Sequence, residues 1–250
     1  MKIPGRIRAL AIAMEQWFYK QSCKVPEPFQ VQRQGQESGS DSTMEHQMLS
    51  LNQQVLRTDV TGMPLEWIGY QEAVKLIVLD QVSYALGRVL FRLHGGTNAA
   101  TGRRTEVPVN AIVATHGSHP NAHQFYDRYM PPLSNRALFR RDENLCLYCG
   151  NRFSERDLSR DHVHPIAQGG EDSWVNVVTA CKRCNNHKGS QTPEQAGMQL
   201  LAIPFAPTHA EYVYLQGKRI MADQMEFLLA HFPRHSVLRK RLTRDLAAGA

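Results

Sequence analysis

Hydrophobic and polar positions alternate along Val55-Leu56-Arg57-Thr58-Asp59-Val60 and the alternation stops at Thr61-Gly62, which predicts a short strand running into a turn. Pro64 to Ile68 reads as a second extended piece. From Tyr70 to Leu79 the period changes: Ala73, Val74, Ile77 and Val78 recur at helical spacing and predict an amphipathic helix. Val82–Leu93 and Val107–Thr115 return to strand character around a Gly/Asn/Thr-rich turn at 94–104. Pro131-Pro132 breaks the chain, and Ser134 is placed to cap a helix over Asn135–Asp142. Thr192-Pro193-Glu194-Gln195 has the residues of a capping box with Pro at the first helical position, so a helix is expected there. Asp223–Phe232 reads as another helix, and the basic tail that follows it reads as a frayed end.

The first 50 residues have a different texture. Arg8–Tyr19 carries the pattern of one isolated helix, whereas the stretch after Val25-Pro26-Glu27-Pro28 is rich in Gln, Ser and Gly and has too little apolar surface to offset the entropy of ordering. Residues 1–50 therefore read as a poorly ordered extension, with Met44 a candidate translation start. The rest divides into a small α+β domain over 51–130, a motif-bearing domain over 134–192, and C-terminal helices with a basic tail over 193–250.

Composition changes this picture little. The chain has 250 residues, 42% hydrophobic and 21% charged, with a formal net charge of +6. The length suffices for one large domain or two small ones, and the basic excess permits a polyanionic partner without requiring one. No apolar stretch is long enough to span a bilayer. The N-terminal apolar run, Ala9 to Met14, is cut by Glu15 and lacks the features of a secretory signal. A cytoplasmic location with reduced thiols is the expectation, and no membrane partner.

Those thiols carry the first chemistry. Of five cysteines, four form two C-x-x-C pairs, Cys146/Cys149 and Cys181/Cys184, while Cys23 stands alone. Each pair can present two thiolates from one tight turn, and Gly150 behind Cys149 suits such a turn because it tolerates positive φ. The spacing predicts one closed structural Zn²⁺ site; buried thiols or redox pairs are the competing reading, and a thioredoxin-like site would account for one pair and leave the other unexplained.

Between and after the pairs lie Asp161-His162, then Gly169-Gly170, Asn176, and Asn185-Asn186-His187-Lys188. Asp161 offers a hard carboxylate oxygen, Asn185 an amide oxygen, and His162 an imidazole that can serve as a general base. Two protein oxygens with water and a substrate phosphate suit Mg²⁺ or another divalent cation.

This arrangement resembles the HNH endonuclease family, the ββα-metal or His-Me finger nucleases, in the bacterial subgroup with a four-cysteine zinc. That pattern runs C-x-x-C, D-H with a Pro shortly after, a G-G loop, an Asn before an apolar triplet, then C-x-x-C-(H or N)-x-x-K-G. Here it falls on Cys146, Cys149, Asp161, His162, Pro165, Gly169, Gly170, Asn176, Cys181, Cys184, Asn185, Lys188 and Gly189. The similarity covers roughly residues 134–192, and the segment from Val55 to Leu76 resembles one that precedes this domain in bacterial HNH proteins.

The resemblance implies an α+β protein with a ββα-metal nuclease domain, preceded by a small α+β domain and followed by helices. It implies a metal-dependent endonuclease acting on double-stranded DNA, with His162 as general base and a catalytic cation held by Asp161 and Asn185. Asn176 would brace the loop and orient His162. His187 is the rival of Asn185 for the ligand position, and His164 reads as a loop residue or phosphate contact rather than the base. Arg160, Lys182, Arg183 and Lys188 are candidate phosphate contacts, with Arg140, Arg141, Arg152 and the tail residues Arg239, Lys240, Arg241 and Arg244 as further basic candidates. Two alternatives stand beside it: a non-catalytic zinc module that binds nucleic acid, and a zinc-stabilised interaction protein. Neither has a use for Asp161, His162 and Asn185 together.

Overall fold

A computed structural model of the protein describes residues 52–97, 99, 100, 102, 104–117 and 129–248. The expectations for residues 1–50, including the Arg8–Tyr19 helix and the Met44 start, lie outside the described residues.

Strand β1 (Val55–Thr58) pairs antiparallel with β2 (Pro64–Ile68) through the turn at Gly62, whose φ of 90° only glycine adopts readily. Asp59 closes that turn by accepting from the backbone N–H groups of Thr61 and Met63 at 2.8 and 2.9 Å. Helix α1 (Tyr70–Val78) follows and buries Ala73 and Leu76. Strands β3 (Val82–Thr97) and β4 (Arg104–Thr115) form a long hairpin, extending further into the 94–104 region than the apolar alternation reaches. β1 docks parallel on β4, giving the sheet order β2-β1-β4-β3.

Helix α2 (Asn135–Arg141) starts where Ser134 Oγ accepts from Ala137 N at 3.3 Å. A hairpin of β5 (Leu158–His162) and β6 (Val177–Cys181) runs directly into helix α3 (Lys182–Lys188), a ββα unit. β6 reads Val-Val-Thr-Ala-Cys and is buried at all five positions, the mark of a strand covered on both faces. The capping box at Thr192 forms, with Gln195 N donating to Thr192 Oγ1 at 3.3 Å and Thr192 N to Gln195 Oε1 at 2.9 Å. The helix expected after it does not: the chain makes only a turn and leaves it at Gly197, which sits at φ 64°.

Three helices close the described chain: α4 (His209–Gln216), α5 (Ala222–Ala230) and α6 (Val237–Ala248). α4 packs on β2 and on α2, and α5 on β3 and β4. One apolar cluster therefore joins Leu56 and Ile112 of the sheet, Leu138 of α2, Trp174 and Val177 of the hairpin, and Leu215 and Leu228 of the last helices. The tail is an ordered helix with Leu238 buried. Arg239 donates to the carbonyls of Leu229 and Phe232, and Arg241 to that of Arg141, so neither is a loose basic residue. Among the described residues no helix is long and apolar enough to cross a membrane.

Candidate active site and metal centre

The first C-x-x-C pair sits on a tight hairpin. Leu145 bridges Arg152, Cys146 N donates to Asn151 O at 2.9 Å, and Gly150 N returns to Cys146 O at 2.9 Å with φ 74°. Leu147 N donates to Thr179 O, which fastens this knuckle to β6. The second pair straddles the β6–α3 junction, where Cys181 Sγ caps the helix by accepting from Cys184 N at 3.4 Å. As a result the four Sγ atoms lie within 4.8 Å of one another. A tetrahedral ion with Zn–S bonds of about 2.3 Å needs sulfurs about 3.8 Å apart, so the cluster fits Zn²⁺. Burial acts to raise the Cys146 thiol, but backbone donors at Cys149, Cys181 and Tyr148 outweigh it and set Cys146 below the ordinary thiol range. Burial and the neighbouring Cys181 and Cys146 push Cys184 well above it. Four ligands close the shell and leave no position for a substrate.

The polar constellation splits across the two faces of β5, because successive side chains of a strand point to opposite sides. Asp161 turns inward and is 4% exposed. Its Oδ1 accepts from Lys188 Nζ at 3.1 Å and its Oδ2 from the Tyr148 hydroxyl at 2.5 Å. Burial first, and then the Asp161 carboxylate, hold the Tyr148 phenol above its ordinary range, so it stays a donor. Lys188 also donates to His162 O at 2.8 Å. Asn185, one turn before Lys188 on α3, faces the same side of β5 as Asp161, where its Nδ2 donates to Ser159 Oγ at 2.9 Å and to Arg160 O at 3.3 Å. Asp161 and Asn185 thus share one face of the hairpin.

A divalent cation on that face fits the donor set in kind: one carboxylate and one amide oxygen are hard ligands, and each Asp161 oxygen carries a second lone pair beyond the one engaged by Lys188 or Tyr148. Lys188 Nζ already lies 3.1 Å from Asp161 Oδ1, so a cation there would share that carboxylate with it.

His162 and Arg160 point to the opposite face. His162 Nε2 lies 2.9 Å from Asp172 Oδ1, and Arg160 Nη1 reaches both Asp172 oxygens at 2.8 and 2.7 Å. Asn176 ties the neck of the loop that carries Asp172: its Oδ1 accepts from His164 N at 2.9 Å, and its Nδ2 donates to His164 O and Glu171 O at 2.9 and 2.7 Å. Gly170 closes the same loop, with its N–H on Pro165 O at 3.0 Å and its backbone packed so closely that a Cβ would stand 1.9 Å from His164 O.

Several basic candidates are placed away from solvent. Lys188, expected among the phosphate contacts, is 1% exposed and pairs with Asp161, because the buried carboxylate draws it inward. Arg141 is fully buried. Its five N–H groups meet Asp142 Oδ1 and Oδ2 and the carbonyls of Trp174, Phe205 and Val177 at 2.8–3.0 Å. Arg140 donates to the carbonyls of Leu215 and Gly217, Arg152 is paired with Glu143, and Arg160 is committed to Asp172. Lys182 and Arg183 are exposed and line, with His187, Asn151, Cys149 and Cys184, an open groove of ≈ 900 Å³ beside the cysteine cluster. His187 belongs to that groove, whereas Asn185 contacts β5. His164 is an exposed loop residue, and Trp174 is core, with its Nε1 on Pro131 O at 2.8 Å. Asp172 was marked by no motif position: it lies ten residues past His162 in a polar loop, and only the closure of that loop brings it to the histidine.

Residues 146–201 match the family model for HNH endonuclease. No curated protein matches this chain. The matched segment spans both cysteine pairs, the β5–β6 hairpin with its loop, and α3.

Proposed function

We propose, from the premise that residues 146–201 form an HNH endonuclease-family domain of the zinc type, that the protein is a metal-dependent endonuclease hydrolysing phosphodiester bonds of double-stranded DNA. The observation that carries this reading is the sorting of side chains along β5. Asp161 and Asn185 lie on one side of the strand, and His162, its last residue and the neighbour of Asp161, stands at the strand's end where the loop to β6 begins.

Asp161 and Asn185 would hold one divalent cation, Mg²⁺ or an equivalent. That cation, when bound, neutralises charge on the phosphate and on the leaving oxygen. His162 takes the proton of the attacking water on a ring nitrogen; the water oxygen bonds to phosphorus, the bond to the 3′-oxygen breaks, that oxygen takes a proton from solvent, and the products are a 5′-phosphate and a 3′-hydroxyl. A base so placed contributes about 10²–10⁴-fold. Tyr148 and Lys188 fix the Asp161 carboxylate in one orientation. Asn176 holds the loop behind His162. The closed cysteine cluster, holding Zn²⁺, fastens the knuckle to β6 and the start of α3. Lys182 and Arg183 on the groove face are the exposed residues suited to phosphate contact, with an affinity that falls as salt rises.

Incubation of supercoiled plasmid with the full chain tests the reading. Nicked product should form with Mg²⁺ or Mn²⁺ and stop when EDTA is in excess. Plasmid that stays supercoiled under every divalent cation, with DNA still bound, would favour the non-catalytic zinc module instead.

A further inference from the structure

Asp172 lies outside every position of the motif, yet it is the acidic side chain against His162. The contact is part of a string: Asn135 Oδ1 accepts from Arg160 Nε at 2.9 Å, Arg160 Nη1 grips both oxygens of Asp172, and Asp172 Oδ1 meets His162 Nε2 at 2.9 Å. Arg160 and His162 are two residues apart on β5, so the pleat aims both at the loop. Hydrogen bonding from Arg160, then from His162, holds the Asp172 carboxyl below its usual range, so it is ionised. An ionised carboxylate only accepts hydrogen bonds, so this contact exists only when His162 carries a proton on Nε2. In the neutral ring the lone pair then sits on Nδ1, and Nδ1 makes no hydrogen bond to any described residue.

We propose that Asp172 is the positioning residue of the general base: it fixes His162 as the Nε2–H tautomer and turns Nδ1 towards the attacking water, with Arg160 and Asn135 holding it in place. This rests on the reading of His162 as the base. In the step so defined, a water O–H proton moves to Nδ1 while the water oxygen bonds to phosphorus. The imidazolium that forms faces the Asp172 charge across its Nε2–H. The bond from phosphorus to the 3′-oxygen breaks, and that oxygen takes a proton from solvent. A histidine base has two distinct nitrogens, and the partner of one decides the work of the other.

Two readouts on the full-length zinc-loaded chain test this. In plasmid nicking with Mg²⁺, Asp172→Asn should lower kcat about 10–100-fold with little change in KM, as loss of a histidine's outer partner does, while Asp172→Glu recovers part of the loss. In long-range ¹H–¹⁵N NMR, with the His162 signals identified by their disappearance in His162→Ala, the wild-type ring should show the Nε2–H pattern and Asp172→Asn a mixture of tautomers. The melting temperature should not move, because the Asp172 side chain is 51% exposed. Wild-type kcat in Asp172→Asn, or an unchanged tautomer pattern with reduced kcat, overturns the role of Asp172. In either case an inactive His162→Ala leaves the endonuclease reading standing. If instead His162→Ala nicks at the wild-type rate, the base assignment itself falls and this inference with it.

Discussion

Lys188 has 1% of its surface in contact with water, and its ammonium group sits between the Asp161 carboxylate and the His162 carbonyl. Removing one member of such a buried pair leaves the other charged and unsolvated. Lys188→Met should therefore destabilise the fold by about 3–5 kcal/mol, read from urea unfolding with zinc present. Unchanged stability would mean that Asp161 is not held as described. The sequence singled out both residues but not their pairing: a lysine near a glycine at a helix end is ordinarily solvated, and nothing in its spacing reveals a buried carboxylate 27 positions earlier. The same holds for Asp172, whose contact with His162 depends on how the fourteen-residue loop 163–176 closes. The four cysteines were legible because the chemistry of a closed Zn²⁺ site demands two knuckles and nothing else about the fold.

At the scale of elements, the loop between β5 and β6 decides where His162 and its partner stand. Its neck is Asn176 bonded to residues 164 and 171, and its closest approach is Gly170 against the His164 carbonyl. Gly170→Ala forces that contact open, since backbone cannot yield as a flexible side chain does. The variant should lose about 1–3 kcal/mol and show reduced nicking, with the zinc content unchanged. Zinc content and nicking equal to wild type in that variant would show that the loop is not held by this contact. Strand and helix positions before residue 142 were legible from period and caps, as Ser134 on α2 illustrates. The Thr192 capping box shows the limit: both of its hydrogen bonds form, but Gly197 at positive φ and the polar residues before it end the turn before a helix can propagate. Helix α4 escaped the reading for the opposite reason. It sits between β2 and α2, with Ala210, Val213 and Leu215 buried and Tyr212 and Tyr214 packed on the core, so it has no clean polar face to betray a helical period.

Across the whole molecule, Arg141 is the polar counterpart of the shared apolar core. It stacks between the rings of Trp174 and Phe205, at 5.6 and 5.3 Å, and ties α2 to the loop before β6 and to the segment leading to α4. Arg141→Leu should cost about 3–5 kcal/mol, because Asp142 and three carbonyls lose their buried donor. The unfolding midpoint checks this, and a loss confined to a local change near α2 would contradict its linking role. The outer sheet, the ββα unit and the C-terminal helices are thus built around one interior, and the hairpin of β5 and β6 lies at its edge with the His162 face turned outward. The central claim is that the end of this hairpin, where Asp161 and His162 are neighbours, hydrolyses DNA with His162 as the base. The most direct measurement is the nicking rate of supercoiled plasmid by His162→Ala beside the wild type, in Mg²⁺, with DNA binding measured in parallel. The account predicts that cleavage falls by at least about 10²-fold while binding and the melting temperature are retained. Cleavage by His162→Ala at the wild-type rate would contradict it.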